Sequence, residues 1–139
     1  MGAFMTPAPE VHLDTQVLVW LYADPHRTWP APARLLLNGG CLHHAPMARL
    51  ELRYLYEIGR IKVAPEVLLS ELSIKLGLAE SDLPYGQVVD AAEHINWTRD
   101  PFDRLIVAQA MAAGAALVTA DHLIREHFVG AVWASTEPS

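Results

Sequence analysis

The sequence is poor in cysteine, in basic residues and in long apolar runs, and each deficit excludes a class of protein. Cys41 is the only cysteine among 139 residues, so an internal disulfide framework is excluded and a reducing, cytoplasmic environment is expected. No apolar run reaches the ~18 residues of a transmembrane helix, so no membrane association is expected. A net charge of −6 argues against a broad basic surface for nucleic acid, but not against a nucleic-acid enzyme whose acids hold metal ions.

The length indicates one compact domain. We expect residues 11–139 to form this domain and residues 1–10, "MGAFMTPAPE", to be a flexible leader because they contain two prolines. The leader has no basic region followed by an apolar stretch, so it does not resemble a secretory signal. No repeat, low-complexity tract or internal linker divides the remainder.

Short apolar segments alternate with helical patterns along the chain. The predicted strands are "VHLDT" (11–15), "CLHHAP" (41–46), "AALVTAD" (115–121) and "VGAVWAS" (129–135). Between the second and third strands, "MARLELRYLYEIGRI" (47–61) has Leu50, Tyr54, Leu55 and Ile58 on one helical face, and Gly59 ends the helix. Strand and helix alternate at both ends of the chain, which predicts an α/β fold with a parallel sheet and helices on both faces.

Four acidic residues fall where such a sheet binds ligands. Asp14 and Asp121 each close a predicted strand, so both are expected at the carboxyl edge of the sheet. Glu51 lies in the second turn of the helix after "CLHHAP", and Asp103 begins the helix that precedes the strand ending in Asp121. We expect these two acids at the same edge.

Converging carboxylates repel one another unless cations join them. Mg²⁺ and Mn²⁺ are suited to this position because they take carboxylate oxygens, keep several waters and use substrate phosphate as a further ligand. Two such ions about 3.5 to 4 Å apart can activate a water and stabilise the leaving oxygen in phosphodiester cleavage. The pattern therefore favours a metal-dependent phosphodiesterase.

Each acid also has an ordinary structural interpretation, which the sequence leaves open. Asp14 and Asp121 are suitable N-caps for the helices that follow them. Asp103 is a favourable negative charge in a first helical turn, and Glu51 is compatible with a solvated position beside arginines. Asp100, directly before Pro101, is interpreted as the N-cap of its helix rather than as a metal ligand.

Four segments resemble the PIN-domain ribonucleases, and more narrowly the VapC-type toxins of prokaryotic toxin–antitoxin modules. They are "LDTQVLVWL" (13–21), "LELRYLYEIGRI" (50–61), "WTRDPFDRLIVAQA" (97–110) and "LVTADHLIREH" (117–127). The resemblance implies a three-layer α/β/α sandwich and an endoribonuclease that hydrolyses RNA with Mg²⁺ or Mn²⁺. It also implies an antitoxin protein as partner and a homodimer.

The resemblance extends to individual positions. Asp14, Glu51, Asp103 and Asp121 match the four family acids, which implies that they are the catalytic residues and the metal ligands. Thr15 and Thr119 match hydroxyl residues found beside the first and last acids, where they would hold a carboxylate or a metal-bound water. Arg104 matches a frequent arginine, implying phosphate contact or pairing with an acid. A structural salt bridge for Arg104 and backbone hydrogen bonds for the two threonines remain alternatives.

Two features depart from the family pattern. His43 and His44 stand where a small hydroxyl residue is expected, and Glu57 is a second glutamate in the helix of Glu51. The histidines are interpreted as structural because neighbours on a strand face opposite ways, and Glu57 as a solvated charge. His122 and His127 lack the helical spacing of a zinc site. Trp20, Trp97 and Trp133 are interpreted as packing residues rather than base-stacking platforms.

Other functional classes remain as alternatives. A PIN-fold nuclease of RNA processing outside a toxin–antitoxin module is one, and a non-catalytic α/β interaction module is another. A haloacid-dehalogenase-like protein would need an acid two residues after Asp14, where Gln16 stands. A receiver-like protein would need a lysine after a late strand, which "LVTADH" lacks.

Overall fold

A five-stranded parallel sheet in the order β3-β2-β1-β4-β5 forms the middle layer of the protein, in a computed structural model that describes residues 7–135. Helices cover the sheet in a three-layer α/β/α arrangement, as expected from the sequence. The elements in chain order are β1 (Glu10–Leu13), α1 (Thr15–Ala23), α2 (Ala31–Gly39), β2 (Cys41–His44), α3 (Pro46–Glu57), α4 (Pro65–Leu76), β3 (Ala79–Glu80), α5 (Tyr85–Glu93), α6 (Pro101–Ala113), β4 (Ala116–Val118), α7 (His122–His127) and β5 (Ala131–Val132).

The central strand β1 is buried on both faces. Val11 and Leu13 have no solvent exposure, and His12 between them is also buried. Val11 pairs with Leu42 of β2 on one side and with Ala116 of β4 on the other. A strand covered on both faces is typical of a parallel sheet between two helical layers, and it fixes the position of the residue that follows β1.

The strand order reverses next to β1. The chain proceeds outward from β1 to β2 and β3, and then returns to place β4 and β5 on the other side of β1. A crevice therefore opens between the carboxyl ends of β1 and β4, which is where open α/β sheets bind ligands. Asp14 follows β1 directly, and Asp121 follows β4 after two residues.

Both ends of the helix α6 are well defined, and this fixes where its first turn lies. The Asp100 carboxylate accepts hydrogen bonds from the backbone N–H groups of Phe102 and Asp103, so Asp100 is the N-cap, as expected. Pro101 occupies the first turn, and Gly114 follows the last. A buried stretch runs through the middle of the helix, comprising Ile106, Val107, Ala108, Gln109 and Ala110.

Close packing holds α2 against β1 at Gly40. A Cβ atom at this position would lie 2.4 Å from Cγ2 of Val11 and 2.8 Å from the carbonyl oxygen of Leu36. Neither neighbour is a flexible chain end, so only glycine fits between the last turn of α2 and the central strand.

The structure corrects one expectation about local structure and adds one strand. The predicted apolar face of α3 is not the buried one: Leu50, Tyr54 and Ile58 are all about half exposed, whereas Ala48 and Leu52 are buried. The strand β3 escaped prediction because two residues carry no periodic signal.

Residues 1–6 of the expected leader lie outside the described residues, and Glu10 is the first residue of β1. Within residues 7–135, no helix combines the length and the apolar character needed to cross a bilayer.

Candidate functional site

The four predicted acids line one cavity of about 380 Å³ at the carboxyl ends of β1 and β4. The lining also includes residues from the first turn of α1, from α3 and from the segments after α3 and β4. The full set is Asp14, Thr15, Gln16, Glu51, Leu55, Arg60, Asp103, Ala120 and Asp121. The cavity therefore lies at the point where the strand order reverses, as the parallel topology requires.

Asp14 is the most buried of the acids, with 8% of its surface exposed. Its Oδ1 accepts a hydrogen bond from the backbone N–H of Thr15 (2.8 Å), and its Oδ2 accepts one from the hydroxyl of Thr119 (2.6 Å). Burial raises the pKa of the Asp14 carboxyl above its ordinary value, although these two hydrogen bonds counter part of the increase. The carboxylate is thus held in a fixed orientation at an energetic cost.

Thr119 also holds the loop that carries Asp121. Its side chain is fully buried, and its hydroxyl oxygen accepts a hydrogen bond from the backbone N–H of Asp121 (3.1 Å). Oδ1 of Asp121 accepts from the backbone N–H of Ile124 (3.0 Å), so Asp121 is the N-cap of α7. Asp121 also lines the cavity, so the capping role and a position at the site coexist in one residue.

Glu51 and Asp103 approach the cavity from α3 and α6. Burial, followed by the negative charges of Asp14 and Asp100, raises the pKa of Glu51. The nearby Thr15 hydroxyl counters part of this increase, although it makes no hydrogen bond of good geometry within residues 7–135. Glu57, the second glutamate of α3, is exposed and does not line the cavity.

Asp103 shows most clearly that the acids are crowded. Burial, and then the negative charges of Asp100, Asp14, Asp121 and Glu51, raise its pKa to about 7. A carboxyl group with this pKa is partly protonated near neutral pH unless a cation stabilises its charged form. The cavity thus favours the binding of a cation.

A divalent cation fits the donors in this cavity. The oxygen ligands are carboxylates, and the buried hydroxyl oxygen of Thr15 has no hydrogen-bond partner within the described part of the chain. Among residues 7–135, no three histidine, cysteine or acidic side chains are arranged to hold a metal ion by themselves. Mg²⁺ does not need three, because it is usually bound by one or two carboxylates and completes its shell with waters and substrate phosphates.

The structure does not bring Arg104 to the cavity. Its Nε donates a hydrogen bond to the backbone carbonyl of Ala92 (3.0 Å), which ties α6 to α5. Successive residues of a helix point about 100° apart, so Arg104 cannot share the direction of Asp103. Arg104 therefore does not form the predicted ion pair with an acid within the part of the chain that the structure describes. Its hydrogen bond to Ala92 is a structural contact between two helices.

Two cavity residues, Arg60 and Gln16, escaped the sequence analysis. Gln16 was noted only as the residue that excludes a dehalogenase. Arg60 follows Gly59, the glycine that ends α3, and this is the signal that could have drawn attention to it. An arginine just after a helix stop is placed by the turn and not by helical periodicity.

His43, His44, His127 and the tryptophans lie in structural contacts. Nδ1 of His43 donates to the carbonyl of Cys41 (2.9 Å), and Nδ1 of His44 donates to the carbonyl of Ala45 (2.9 Å). Nδ1 of His127 donates to the carbonyl of Leu123, one turn back in α7. Trp20, Trp97 and Trp133 pack partly buried against the core, as expected, and so does Trp29.

Comparison with known proteins agrees with this fold. The sequence matches the PIN domain family over residues 11–127. Ribonuclease VapC22 of Mycobacterium tuberculosis is 33% identical over 122 residues, which cover 84% of this chain and 91% of that protein.

Solved structures are also similar. VapBC2 from Rickettsia felis, bound to a DNA fragment from its promoter, aligns with 88% of this chain and 96% of the matched chain, with a TM-score of 0.57. DNA-bound VapBC from Salmonella typhimurium aligns with 88% of this chain and 95% of the matched chain, with a TM-score of 0.58. Both are 18% identical in sequence, so this similarity concerns the fold.

Proposed function

The chain belongs to the PIN domain family, and we propose that it is a metal-dependent endoribonuclease, the toxin of a toxin–antitoxin pair. The observation that carries this proposal is the convergence of Asp14, Glu51, Asp103 and Asp121 on one cavity at the carboxyl edge of the sheet. The relative named a ribonuclease covers most of the chain, which supports RNA as the substrate. Residues 11–139 would form the single nuclease domain.

The four acids would hold one or two Mg²⁺ or Mn²⁺ ions. When bound, such ions activate water and stabilise the charge that develops on the phosphate and the leaving oxygen. Asp14 would serve as the fixed ligand, because two hydrogen bonds orient its carboxylate. Thr15 and Thr119 would take supporting roles: the buried Thr15 hydroxyl has a free oxygen beside the acids, and Thr119 orients Asp14 and the backbone of Asp121.

Asp103 would contribute a negative charge to the metal site and would release a proton when the metal ion binds. Its raised pKa, at about 7, means that the proton it holds in the free protein leaves when a cation binds. The cavity is open on its outer side and polar along its walls, so an extended phosphodiester strand can approach the acids. These acids come from four separate parts of the described chain: the junction of β1 and α1, helix α3, helix α6 and the segment between β4 and α7. The correct geometry therefore depends on the folded protein as a whole.

An antitoxin protein would be the partner of this chain, and the chain would assemble as a homodimer. The structural neighbours in which VapB and VapC occur together support the first of these statements. The homodimer rests on the family resemblance alone. Expression of the toxin should arrest growth, and co-expression of the gene beside it should relieve the arrest. A PIN nuclease of RNA processing would cleave RNA but show no such relief.

A cleavage assay tests the proposed activity. The purified parent protein should cut single-stranded RNA with Mn²⁺ or Mg²⁺ and stop when a chelator is added. Asp121→Asn and Asp14→Ala should lose cleavage by at least about 100-fold because they remove charge from the cavity. Glu57→Gln, on the exposed end of α3, is the matched control and should cut like the parent. Cleavage at the parental rate by Asp121→Asn would contradict the proposal, and so would chelator-resistant cleavage.

A further inference from the structure

We infer, on the premise of the proposed ribonuclease, that Arg60 binds a phosphate of the RNA strand next to the phosphate held at the acids. Arg60 lines the same cavity as Asp14, Glu51, Asp103 and Asp121. It is the only lysine or arginine in that lining among residues 7–135. A nuclease cavity lined by four acids repels the RNA backbone, so a cation in its wall has a clear use in substrate binding.

The turn after α3 fixes where Arg60 lies. The backbone N–H of Gly59 donates to the carbonyl of Tyr56 (3.1 Å), and that of Arg60 donates to the carbonyl of Leu55 (2.8 Å). Gly59 has φ of 78°, in the left-handed region. This pair of bonds around a left-handed glycine is the Schellman motif, which folds the chain back over the last helical turn. Arg60 is thereby brought beside Leu55, on the cavity wall.

The charge of Arg60 is free to meet a ligand. The two arginines of α3 are engaged in ion pairs: Arg49 with Glu80, and Arg53 with Glu66. Arg60 is exposed, and none of the salt bridges found within residues 7–135 includes it, even though four carboxylates line the same cavity. Its guanidinium therefore has its donors available for an incoming anion.

The position along α3 indicates which phosphate Arg60 would meet. Leu55 is four residues after Glu51, so Arg60 is anchored about 6 Å farther along the helix axis than the acid. That displacement separates it from the centre of the four carboxylates and directs it to a neighbouring phosphate. A guanidinium suits this task because its planar fork binds two phosphate oxygens at once. Arg60 would thus contribute to RNA affinity more than to the chemical step.

The test measures RNA binding without cleavage. A fluorescein-labelled single-stranded RNA decamer is titrated with the parent, Arg60→Ala, Arg60→Lys and Arg34→Ala in the presence of a chelator, and Kd is obtained from fluorescence anisotropy. Arg34 is the matched control because it is an exposed arginine on α2 that does not line the cavity. Each titration is repeated between about 50 and 200 mM salt, because each phosphate contact on a single strand contributes about 0.7 to the slope of log Kd against log salt.

Arg60→Ala should weaken binding about 10-fold and lower the salt slope by about 0.7, whereas Arg34→Ala should match the parent. Arg60→Lys should keep the slope but recover only part of the affinity, because an ammonium cannot bind two oxygens in a fork. In cleavage assays with Mn²⁺, Arg60→Ala should raise KM about 10-fold and change kcat by less than about threefold. A melting temperature equal to that of the parent would accompany these effects.

Parental affinity and slope for Arg60→Ala would overturn the inference, and so would a parent protein that binds no RNA. An equal loss of affinity in Arg34→Ala would also overturn it, because the effect would then be one of general charge. The proposed function fails separately: a parent that binds RNA through Arg60 but does not cut it with Mn²⁺ would refute the nuclease and leave the phosphate contact standing.

Discussion

The hydroxyl of Thr119 donates a 2.6 Å hydrogen bond to Oδ2 of Asp14, across 105 positions of the sequence. The same hydroxyl oxygen accepts from the backbone N–H of Asp121. One buried side chain therefore connects the residue that follows β1 with the residue that caps α7. This group therefore helps to set the relative position of two cavity acids.

Thr119→Val should separate the effects of shape and hydrogen bonding at this point. Valine keeps the volume of threonine but leaves a buried carboxylate oxygen and a backbone N–H without partners, which costs about 1–3 kcal/mol in the free energy of unfolding. Loss of orientation at Asp14 should weaken Mn²⁺ binding about 10- to 100-fold. Chemical denaturation and calorimetric Mn²⁺ titration measure the two effects.

Thr28→Val, at an exposed position between α1 and α2, serves as the control for this substitution. It should change neither the free energy of unfolding nor the Mn²⁺ affinity measurably. Thr119→Ser should retain the Mn²⁺ affinity because it keeps the hydroxyl, although loss of the buried methyl group costs about 1 kcal/mol of stability. Unaltered Mn²⁺ binding in Thr119→Val would show that Asp14 needs no such support.

The stability of the metal-free protein should depend on pH through Asp103. Its pKa rises from an ordinary value of 3.8 to about 7 in the folded protein, so the folded state binds this proton more tightly than the unfolded chain. The free energy of unfolding should therefore fall as pH rises from about 4 to about 7. Asp103→Asn has no ionisable group at this position and so avoids this loss of stability. At about pH 8 it should be more stable than the parent by on the order of 2 kcal/mol.

Chemical denaturation in chelator at several pH values measures this difference. The curves of the parent and Asp103→Asn should approach each other as pH falls toward and below about 4, because the unfolded chain then also takes up the Asp103 proton. A constant difference at every pH would mean that the asparagine acts through packing and not through charge.

Metal binding should become weaker on the acid side of pH 7. A divalent cation competes with the proton on Asp103, whose pKa is about 7, so the apparent Mn²⁺ affinity should be about 10-fold lower near pH 6 than near pH 8. The increase in Tm on adding Mn²⁺ should shrink accordingly. Thermal denaturation with and without Mn²⁺ at the two pH values tests this, and an equal increase at both would contradict it.

Asp100 should affect the site through its charge and the fold through its cap. Asp100→Asn keeps an oxygen for the backbone N–H groups of Phe102 and Asp103, but it removes the largest charge contribution to the raised pKa of Asp103. The pH range over which the metal-free protein loses stability should therefore move to lower pH. Asp100→Ala should show the same movement and also lose about 1 kcal/mol of stability with the cap. An Asn variant with the parental pH profile would show that burial alone sets the pKa of Asp103.

The sequence located Asp14 and Asp121 because each follows a strand, and parallel topology sends every strand's carboxyl end to the same edge. Glu51 and Asp103 were expected at the same edge because each lies near the start of a helix, but the direction of a helical side chain depends on how the helix packs. The family resemblance supplied their assignment to one site with the other acids, and both line the same cavity.

Arg104 and Arg60 show the limit of the same reasoning. Arg104 is adjacent to Asp103 in sequence, but helical rotation turns it toward Ala92. Arg60 lies beyond the end of α3, separated in sequence from the acids of the cavity. The turn after the helix brings it to the cavity wall. The face of α3 was misjudged for a related reason: Leu50 and Tyr54 follow the helical period, but the surface of the neighbouring helices accommodates Ala48 and Leu52 instead.

The outer strands β3 and β5 each comprise only two residues. A longer edge would present a row of unpaired N–H and C=O groups to other molecules. Because each outer strand is so short, it offers a neighbouring chain few backbone N–H and C=O groups with which to pair. Strand addition at either edge is therefore disfavoured, and concentrated solutions should resist the edge-to-edge stacking that leads to fibrils.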